Sequence, residues 1–303
     1  MFEKLFAKRG LSLDRLRVLL EVREAGSVIK AAGGDPVRQS QYSRQLKELD
    51  EYFGVELTCR KGRHLVLTAT GEELAKLVQE HFVALGNFKR RVAAELVPVF
   101  IGAGESLIHW LLLPLAGKLQ RDLPEVTLRM INLTSTMINQ KLIDREIDLG
   151  ILRKDAIAPT ISHHVIGKIV YSLYAPKALL SGSAAKKTFL LNKLPIATMP
   201  GNTSFGRHLH QLAEKANIQI NVRLECDTFT GLAQAVQTGE YAAILPDLAA
   251  YAMDEQTDKI TLPLLKPLTR EISLAWLKRK VNLCPEWEKT RQWLTQNLNM
   301  TIK

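Results

Sequence analysis

The chain has 303 residues, more than one hydrophobic core usually organises, and 46% of them are hydrophobic, so two domains with ample material for burial are expected. A charged share of 24% without long biased tracts excludes a disordered or fibrous chain. The net charge of +10 points to a polyanionic partner but does not locate it, since residues 1–95 hold 17 Lys and Arg against 13 Asp and Glu and the remainder holds 24 against 18.

The residues before Leu11 read as a frayed tail, and nothing in them has the apolar length of a secretory leader. Ser12 is a plausible N-cap for an amphipathic helix carrying Leu13, Leu16, Leu19, Leu20 and Arg23 that stops near Gly26. Ser27 opens a short second helix with Val28, Ile29, Ala31 and Ala32, broken at Gly33-Gly34-Asp35-Pro36. A third helix follows from Arg38 to Phe53, its large apolar residues Tyr42, Leu46, Leu49 and Phe53 spaced four, three and four, so that they form one stripe. Ser40, Arg44 and Lys47 lie opposite, with Gln41 beside them. Gly54 ends this helix, and Leu57 to Leu67 reads as a hairpin with the tip Arg60-Lys61-Gly62-Arg63-His64. Three helices and a basic hairpin make a winged helix-turn-helix, in which the third helix fits a DNA major groove and the hairpin tip can touch phosphate.

From Thr68 to Glu95 a long helix is expected, with Leu74, Val78, His81, Leu85, Phe88 and Val92 spaced as a heptad seam. Such a stripe wants a partner helix, most simply its own copy in a homodimer; His81 reads as a register-fixing interruption and Lys89-Arg90-Arg91 as a solvated run at the helix end. After Pro98 strands and helices alternate: a strand at Val99-Phe100-Ile101, a helix capped by Ser106 and reaching Asp122, a strand at Val126–Ile131, a helix at Met137–Arg145 and a strand at Ile147–Leu152. Further strands are expected at Ile169–Tyr174, Pro195–Thr198, Ile220–Leu224, Ala242–Leu245 and Ile272–Leu277, with a last helix around Pro285–Asn297. The fold class is therefore α/β: an N-terminal winged helix-turn-helix (1–67), a linker helix (68–95) and a doubly wound C-terminal α/β domain (96–303) that is divisible into two lobes.

Cys59, Cys226 and Cys284 are odd in number and widely spaced, which indicates neither a disulfide scaffold nor a zinc site and fits a reducing, cytoplasmic setting. No stretch approaches the roughly 18 uncharged apolar residues of a membrane span. Nothing near Cys226 or Cys284 supplies the basic cluster of a redox switch, and His163-His164 lacks further ligands, so no metal or cofactor is expected.

Over essentially its whole length the chain resembles the LysR-type transcriptional regulators. The matching strings in the first domain are Leu16-Arg17, Ala25-Gly26-Ser27, Ala31-Ala32, Gln39, Ser43-Arg44-Gln45, Leu49, Gly54-Val55, Leu57, Arg60, Gly62-Arg63, Leu67-Thr68 and Gly71. In the second they are Leu113-Pro114, Pro124-Glu125-Val126, Leu142, Ile147-Asp148-Leu149-Gly150-Ile151 and Ile244-Leu245-Pro246. The chain departs from the family pattern at Asp35, where an apolar residue is usual, at Gly33-Gly34, Arg38 and Ser40, and at Thr58, where an aromatic usually packs.

The resemblance implies a sequence-specific transcription regulator, dimeric or tetrameric, that meets double-stranded DNA and RNA polymerase and holds a small-molecule effector between the two lobes of a periplasmic-binding-protein-like domain. Lobe one is then about 96–165 plus 266–303 and lobe two about 166–265. For DNA the candidates are Gln39, Ser40, Gln41, Ser43 and Arg44 at the groove and Arg38, Lys47, Arg60, Lys61 and Arg63 at phosphates. For the effector they are Gly104, Ser106, Thr134, Ser135, Thr198, Asn202, Thr203, Ser204, Asp227 and Thr228, at the carboxyl ends of strands and the starts of helices, where an anionic group is favoured. Glu105 argues against an anion, and helix capping is the competing role for each Ser and Thr. An enzyme on the α/β part is the alternative, but there is no complete phosphate loop, dinucleotide fingerprint or nucleophile elbow. A solute-binding protein, the other alternative, would need an export leader.

Overall fold

Capping chemistry sets the first helices of the computed structural model, which describes residues 3–180, 190–278 and 285–298; Cys284 lies outside them. After a short helix α1 (Glu3–Phe6), the Tyr52 hydroxyl donates to the Leu5 carbonyl, and Gly10, at φ +132°, passes so close that a Cβ there would lie 3.0 Å from Tyr52 Cβ. The expected frayed tail is thus anchored on the third helix of the reading head. Helix α2 (Leu13–Ala25) is capped by Ser12, whose hydroxyl accepts the Arg15 amide, and closed by Gly26 at φ +75°. Its buried face is Val18, Leu19 and Val22; Leu13, in the first turn, lies beyond that face and is 64% exposed. Ser27 caps α3 (Val28–Ala31).

Helix α4 (Pro36–Phe53) begins two residues earlier than its apolar stripe suggests. Asp35 is its cap, with Oδ1 accepting the amides of Val37 at 2.9 Å and Arg38 at 3.4 Å, and Pro36 occupies the first helical position, where a missing N–H costs nothing. Gly33 and Gly34 both take positive φ in the preceding turn, a conformation that other residues adopt only with strain. The departures from the family pattern at 33–35 are thus a turn and a cap. Tyr42, Leu46 and Leu49 join Val18, Leu19, Val22, Val28, Leu57 and Ala75 in one core, while Phe53, at the helix end, stays 37% exposed.

Strands β1 (Thr58–Lys61) and β2 (His64–Leu67) pair antiparallel around Gly62-Arg63, with Gly62 at φ +62°. Thr68 then caps α5 (Ala69–Val92), accepting the Gly71 amide at 3.0 Å. Arg23 of α2 binds Glu72 at 3.1 Å and Gln79 at 2.5 Å, which fastens α5 to the head.

The chain divides between Ala93 and Ala94 into two units. In the second, β3 (Val97–Ala103) leads into one helical run made of α6 (Glu105–Leu107), a π-helical turn at Ile108–Leu112 and α7 (Leu113–Asp122). Ser106 does not cap it; Gly104 holds the cap position without a side-chain bond. There follow β4 (Val126–Asn132), α8 (Ser135–Ile143), β5 (Leu149–Arg153), a 3-10 turn (Lys154–Ala156) and β6 (Ser162–Ile169). The chain then enters the second lobe: β7 (Tyr171–Pro176), α9 (Lys177–Leu180), α10 (Leu190–Lys193), β8 (Ile196–Thr198), α11 (Ser204–Lys215), β9 (Val222–Glu225), α12 (Phe229–Gln237), β10 (Ala242–Pro246) and β11 (Thr257–Ile260), with 3-10 turns at Asp247–Ala252 and Pro263–Leu268. It returns through β12 (Arg270–Trp276) and ends in α13 (Pro285–Leu298).

The two sheets have the orders β4-β3-β5-β12-β6 and β11-β7-β10-β8-β9; parallel pairs form the β4-β3-β5 and β10-β8-β9 portions, and the other neighbours are antiparallel. The crossings fall at Val170 and Thr269 rather than near 165 and 266, and the run Ile169–Tyr174 that reads as one strand is split between the sheets. No turn residue marks that passage, because the apolar run continues through it. Leu107, Trp110 and Leu111 of the first lobe and Leu232, Leu248 and Ala249 of the second belong to one continuous core. Trp287 and Trp293 of α13 donate to the Asp148 carbonyl at 3.0 Å and the Asp122 carboxylate at 2.7 Å, which fixes α13 to the first lobe.

Candidate nucleic-acid interface and ligand cleft

Burial of Tyr42, Leu46 and Leu49 turns the opposite face of α4 outward. Ser40, Gln41, Arg44 and Lys47 are exposed there, and Gln39 and Ser43 are half-buried at its margins. Arg44 and Lys47 have side chains 78% and 76% exposed, held only by helix-surface ion pairs to Glu48 at 3.6 Å and Glu51 at 4.0 Å. Such pairs are worth little in water and are readily exchanged for another anion. Arg60, Lys61 and Arg63 are all exposed at the hairpin tip.

Arg38 has a different setting. Its Nε donates to the Tyr42 hydroxyl at 2.9 Å, that hydroxyl donates to Glu21, and Glu21 also receives Arg17 at 2.6 Å and lies 3.8 Å from Arg38. The hydrogen bond to Tyr42, more than any charge, holds the Arg38 pKa above its ordinary value. Arg15 binds Glu48 as well, so α2 and α4 are joined by two polar clusters beside their apolar seam.

Along α5 the expected stripe is divided. Val78 is buried and Leu74 packs against the head's core, whereas His81, Leu85, Phe88 and Val92 are exposed, the last three by 57%, 58% and 72%. His81 Nδ1 lies 2.8 Å from the Leu77 carbonyl oxygen.

In the second unit three of the residues expected to contact a ligand also cap helices. Thr134 accepts the Met137 amide, Thr203 that of Gly206 and Thr228 that of Gly231, at 3.4, 3.0 and 3.1 Å. Ser135 spends its carbonyl on Asn139, and Asn202 its carbonyl on Arg207. Gly104 and Ser106 are half-buried, Asp227 is exposed, and Thr198 is only 2% exposed with a hydroxyl that has no partner.

One expected residue, Ser204, and three neighbours of expected ones or of the cleft, Glu105, Arg153 and Thr230, join the lobes. The Thr230 hydroxyl donates to Glu105, and Arg153 Nη1 reaches Ser204 Oγ at 3.5 Å. Beside them Phe205 and Phe229 meet edge to face with centroids 4.9 Å apart, and Tyr171 lies 4.9 Å from the first and 5.9 Å from the second. Burial pushes the Tyr171 phenol up to about 12 against the opposing pull of Arg270 and Arg153, so it stays protonated. Of this set only Ser204, and Glu105 as an objection to an anion, stand out in the sequence; a lone Phe after a cap residue carries no signal of its own.

An open depression of about 440 Å³ lies near the lobe crossing, lined by Lys154, Asp155, Thr269, Arg270 and Glu271. Its lysine already meets Glu271 at 2.9 Å, and Lys168 adds a second cation to the same carboxylate at 3.8 Å. Cys59 is exposed and Cys226 half-buried; among the described residues no group of His, Cys, Asp and Glu could hold a metal ion, and no helix is long and apolar enough to cross a membrane.

Comparison with known proteins agrees with both halves. Residues 13–72 match the bacterial regulatory helix-turn-helix of the lysR family, and residues 98–298 match the LysR substrate binding domain. A "Probable nitrogen assimilation transcriptional activator" of Synechococcus elongatus is 25% identical over 284 residues, 91% of this chain and 92% of that protein. Among solved structures, full-length OxyR from Pseudomonas aeruginosa superposes with a TM-score of 0.62 at 17% identity, covering 96% of this chain and 95% of its own. Full-length CbnR complexed with its target DNA gives 0.54 at 20% identity, covering 93% and 99%. These two likenesses speak for the fold, and the two family matches together carry the assignment. The chain belongs to the LysR family of transcriptional regulators, with a helix-turn-helix DNA-binding domain followed by an effector-binding domain.

Proposed function

We propose that α4 reads an operator in the major groove through Gln41 and Arg44, with Gln39, Ser40 and Ser43 beside them, and that Lys47, Arg60, Lys61 and Arg63 hold the phosphates. The observation that carries this reading is the exposed polar face of α4 opposite Tyr42, Leu46 and Leu49, flanked by an exposed basic hairpin tip. Arg38, committed to Tyr42 and Glu21, is a positioning residue for α4 more than a phosphate contact.

The exposed part of the α5 stripe supports pairing of two copies, which sets two reading heads on one operator. The second domain senses a small molecule between its lobes, the output passes to RNA polymerase, and the work is binding in the cytoplasm, without catalysis. An operator selected from an oligonucleotide pool gives the test. Arg44→Ala should lose about 1–3 kcal/mol on that operator and discriminate less at one base position, whereas Lys61→Ala should weaken all duplexes alike and lower the salt dependence by about one counterion. Unchanged operator affinity in Arg44→Ala would remove α4 from the reading role.

A further inference from the structure

The carboxyl edge of the first lobe's sheet carries two charges of opposite sign on neighbouring strands. β3 and β5 pair in parallel with Ala103 level with Ile151, and Glu105 and Arg153 stand two residues beyond each. Adjacent strands are about 5 Å apart, so both groups lie within the span of one small molecule. Across the cleft each charge meets a hydroxyl in the first turn of a second-lobe helix: Thr230 of α12 donates to Glu105, and Ser204 of α11 lies 3.5 Å from Arg153. The residue next to each hydroxyl is a phenylalanine, and these two rings touch each other and Tyr171.

Glu105 is half-buried and, among the described residues, its carboxylate has no cation partner. A carboxylate withdrawn from water and compensated by one neutral hydroxyl is under-served, and an ammonium group would serve it better. Arg153 has its Nε 3.3 Å from Asp155, itself 61% exposed, which leaves the outer guanidinium nitrogens for a second anion. Thr198, whose buried hydroxyl lacks a partner, ends β8 at the same sheet edge from which α11 follows. An anion alone would meet Glu105 unfavourably, and a cation alone would leave Arg153 unused. In the 440 Å³ depression both carboxylates already have cations, Glu271 those of Lys154 and Lys168 and Asp155 that of Arg153, so an ammonium group finds no rival site of this kind there.

We propose that the cleft binds an α-amino acid with an apolar side chain, its ammonium on Glu105, its carboxylate on Arg153 and Ser204, and its side chain against Phe205, Phe229 and Tyr171. The inference rests on the reading of the interlobe cleft as the effector site. Binding would replace the two direct lobe-to-lobe contacts with contacts through the ligand, and would gain from aromatic rings close to a cationic group.

Calorimetric titration of the full-length protein with L-phenylalanine, L-leucine, phenethylamine and 3-phenylpropanoate tests it, with operator binding by each protein as the control for folding. At least one amino acid should bind at least tenfold more tightly than phenethylamine and 3-phenylpropanoate. Glu105→Gln should erase the preference over 3-phenylpropanoate, and Arg153→Gln the preference over phenethylamine. Equal binding of 3-phenylpropanoate and L-phenylalanine to the unaltered protein, or indifference of both preferences to the two substitutions, overturns the proposal. If none of the four binds while a metabolite extract gives a saturable signal, the amino-acid assignment falls and the sensing role stands; silence from the extract as well counts against both.

Discussion

Two glycines on one helix should respond to the same substitution with opposite signs. In the interior of an isolated helix, Gly→Ala stabilises by about 1 kcal/mol because alanine loses less backbone freedom. At Gly86 a Cβ would meet nothing within 4 Å, so Gly86→Ala should show that gain. At Gly71 the new Cβ would lie 2.1 Å from the Leu57 carbonyl oxygen and 3.1 Å from its carbon. Leu57 cannot readily retreat: it is 1% exposed, its amide is held by Asp50 at 2.9 Å, and its carbonyl accepts the Thr68 amide at 2.9 Å. Opening that contact by about 1 Å costs roughly 1–3 kcal/mol of overpacking and about 1 kcal/mol for the strained hydrogen bond, which offsets the gain in propensity. The net expectation is a loss of about 2 kcal/mol at Gly71, and hence about 3 kcal/mol between the two variants. All four tryptophans lie beyond Ala93, so tryptophan fluorescence during urea unfolding reports the second unit and should not move, and a shift seen in far-UV circular dichroism, which sums both units, but not in fluorescence belongs to the head. A Gly71→Ala protein as stable as the unaltered one would refute the close seating of α5 on the wing.

The Tyr42 hydroxyl, buried between Glu21 and Arg38, should contribute about 1–2 kcal/mol, so Tyr42→Phe should lower the dichroism midpoint, and its effect should be less than additive with that of Arg38→Ala. Leu111 is fully buried in the core shared by both lobes; Leu111→Ala should cost about 2–5 kcal/mol and leave a single, earlier fluorescence transition instead of two. Arg291 holds the Glu288 carboxyl below its ordinary pKa of 4.5, and a carboxyl with a depressed folded pKa adds stability that is complete above the unfolded value and fades as pH falls through the folded one. Glu288→Gln should therefore melt earlier near neutral pH and converge with the unaltered protein in acid, and parallel pH profiles would count against the pairing.

Elements whose boundaries are written in local chemistry were legible in the sequence. Ser12, Ser27 and Gly26 mark the ends of α2 and α3 as expected, and the four-three-four spacing on α4 names the face that is buried. Asp35 was legible only as a departure from a family pattern. Its role depends on the φ values of Gly33 and Gly34, which turn the chain so that Oδ1 faces the free amides of α4, and spacing carries no trace of that. The passage between lobes at Val170 was hidden for a related reason: an apolar residue that leaves one sheet looks, in sequence, like one that continues a strand. The stripe on α5 shows the limit of periodicity, which identifies a sticky face without saying how much of it the same subunit buries, here Leu74 against the head's core and Val78 at 5% exposure.

The cleft was the hardest part to read because capping and ligand binding ask for the same residues at the same places. Thr134, Thr203 and Thr228 satisfy both descriptions, and their hydroxyls already accept amides of their own helices. The residues that face across the cleft are their neighbours, and what makes Glu105 and Arg153 a pair is the β3-β5 pairing, a contact between segments nearly fifty residues apart. The same architecture limits how a ligand can act. Opening the lobes widely would expose Leu107, Trp110, Leu111, Leu248 and Ala249, at roughly 1.5–3 kcal/mol for each large side chain, whereas the coupling energy of an effector is typically about 1–3 kcal/mol in all. A small molecule can exchange the Glu105–Thr230 and Arg153–Ser204 contacts within that range, but it cannot unseat the shared core. On the proposed reading the signal would be a small displacement of the first turns of α11 and α12 against the sheet edge, and two separate lobe transitions in Leu111→Ala would show that the core is not shared and that wide opening costs little after all.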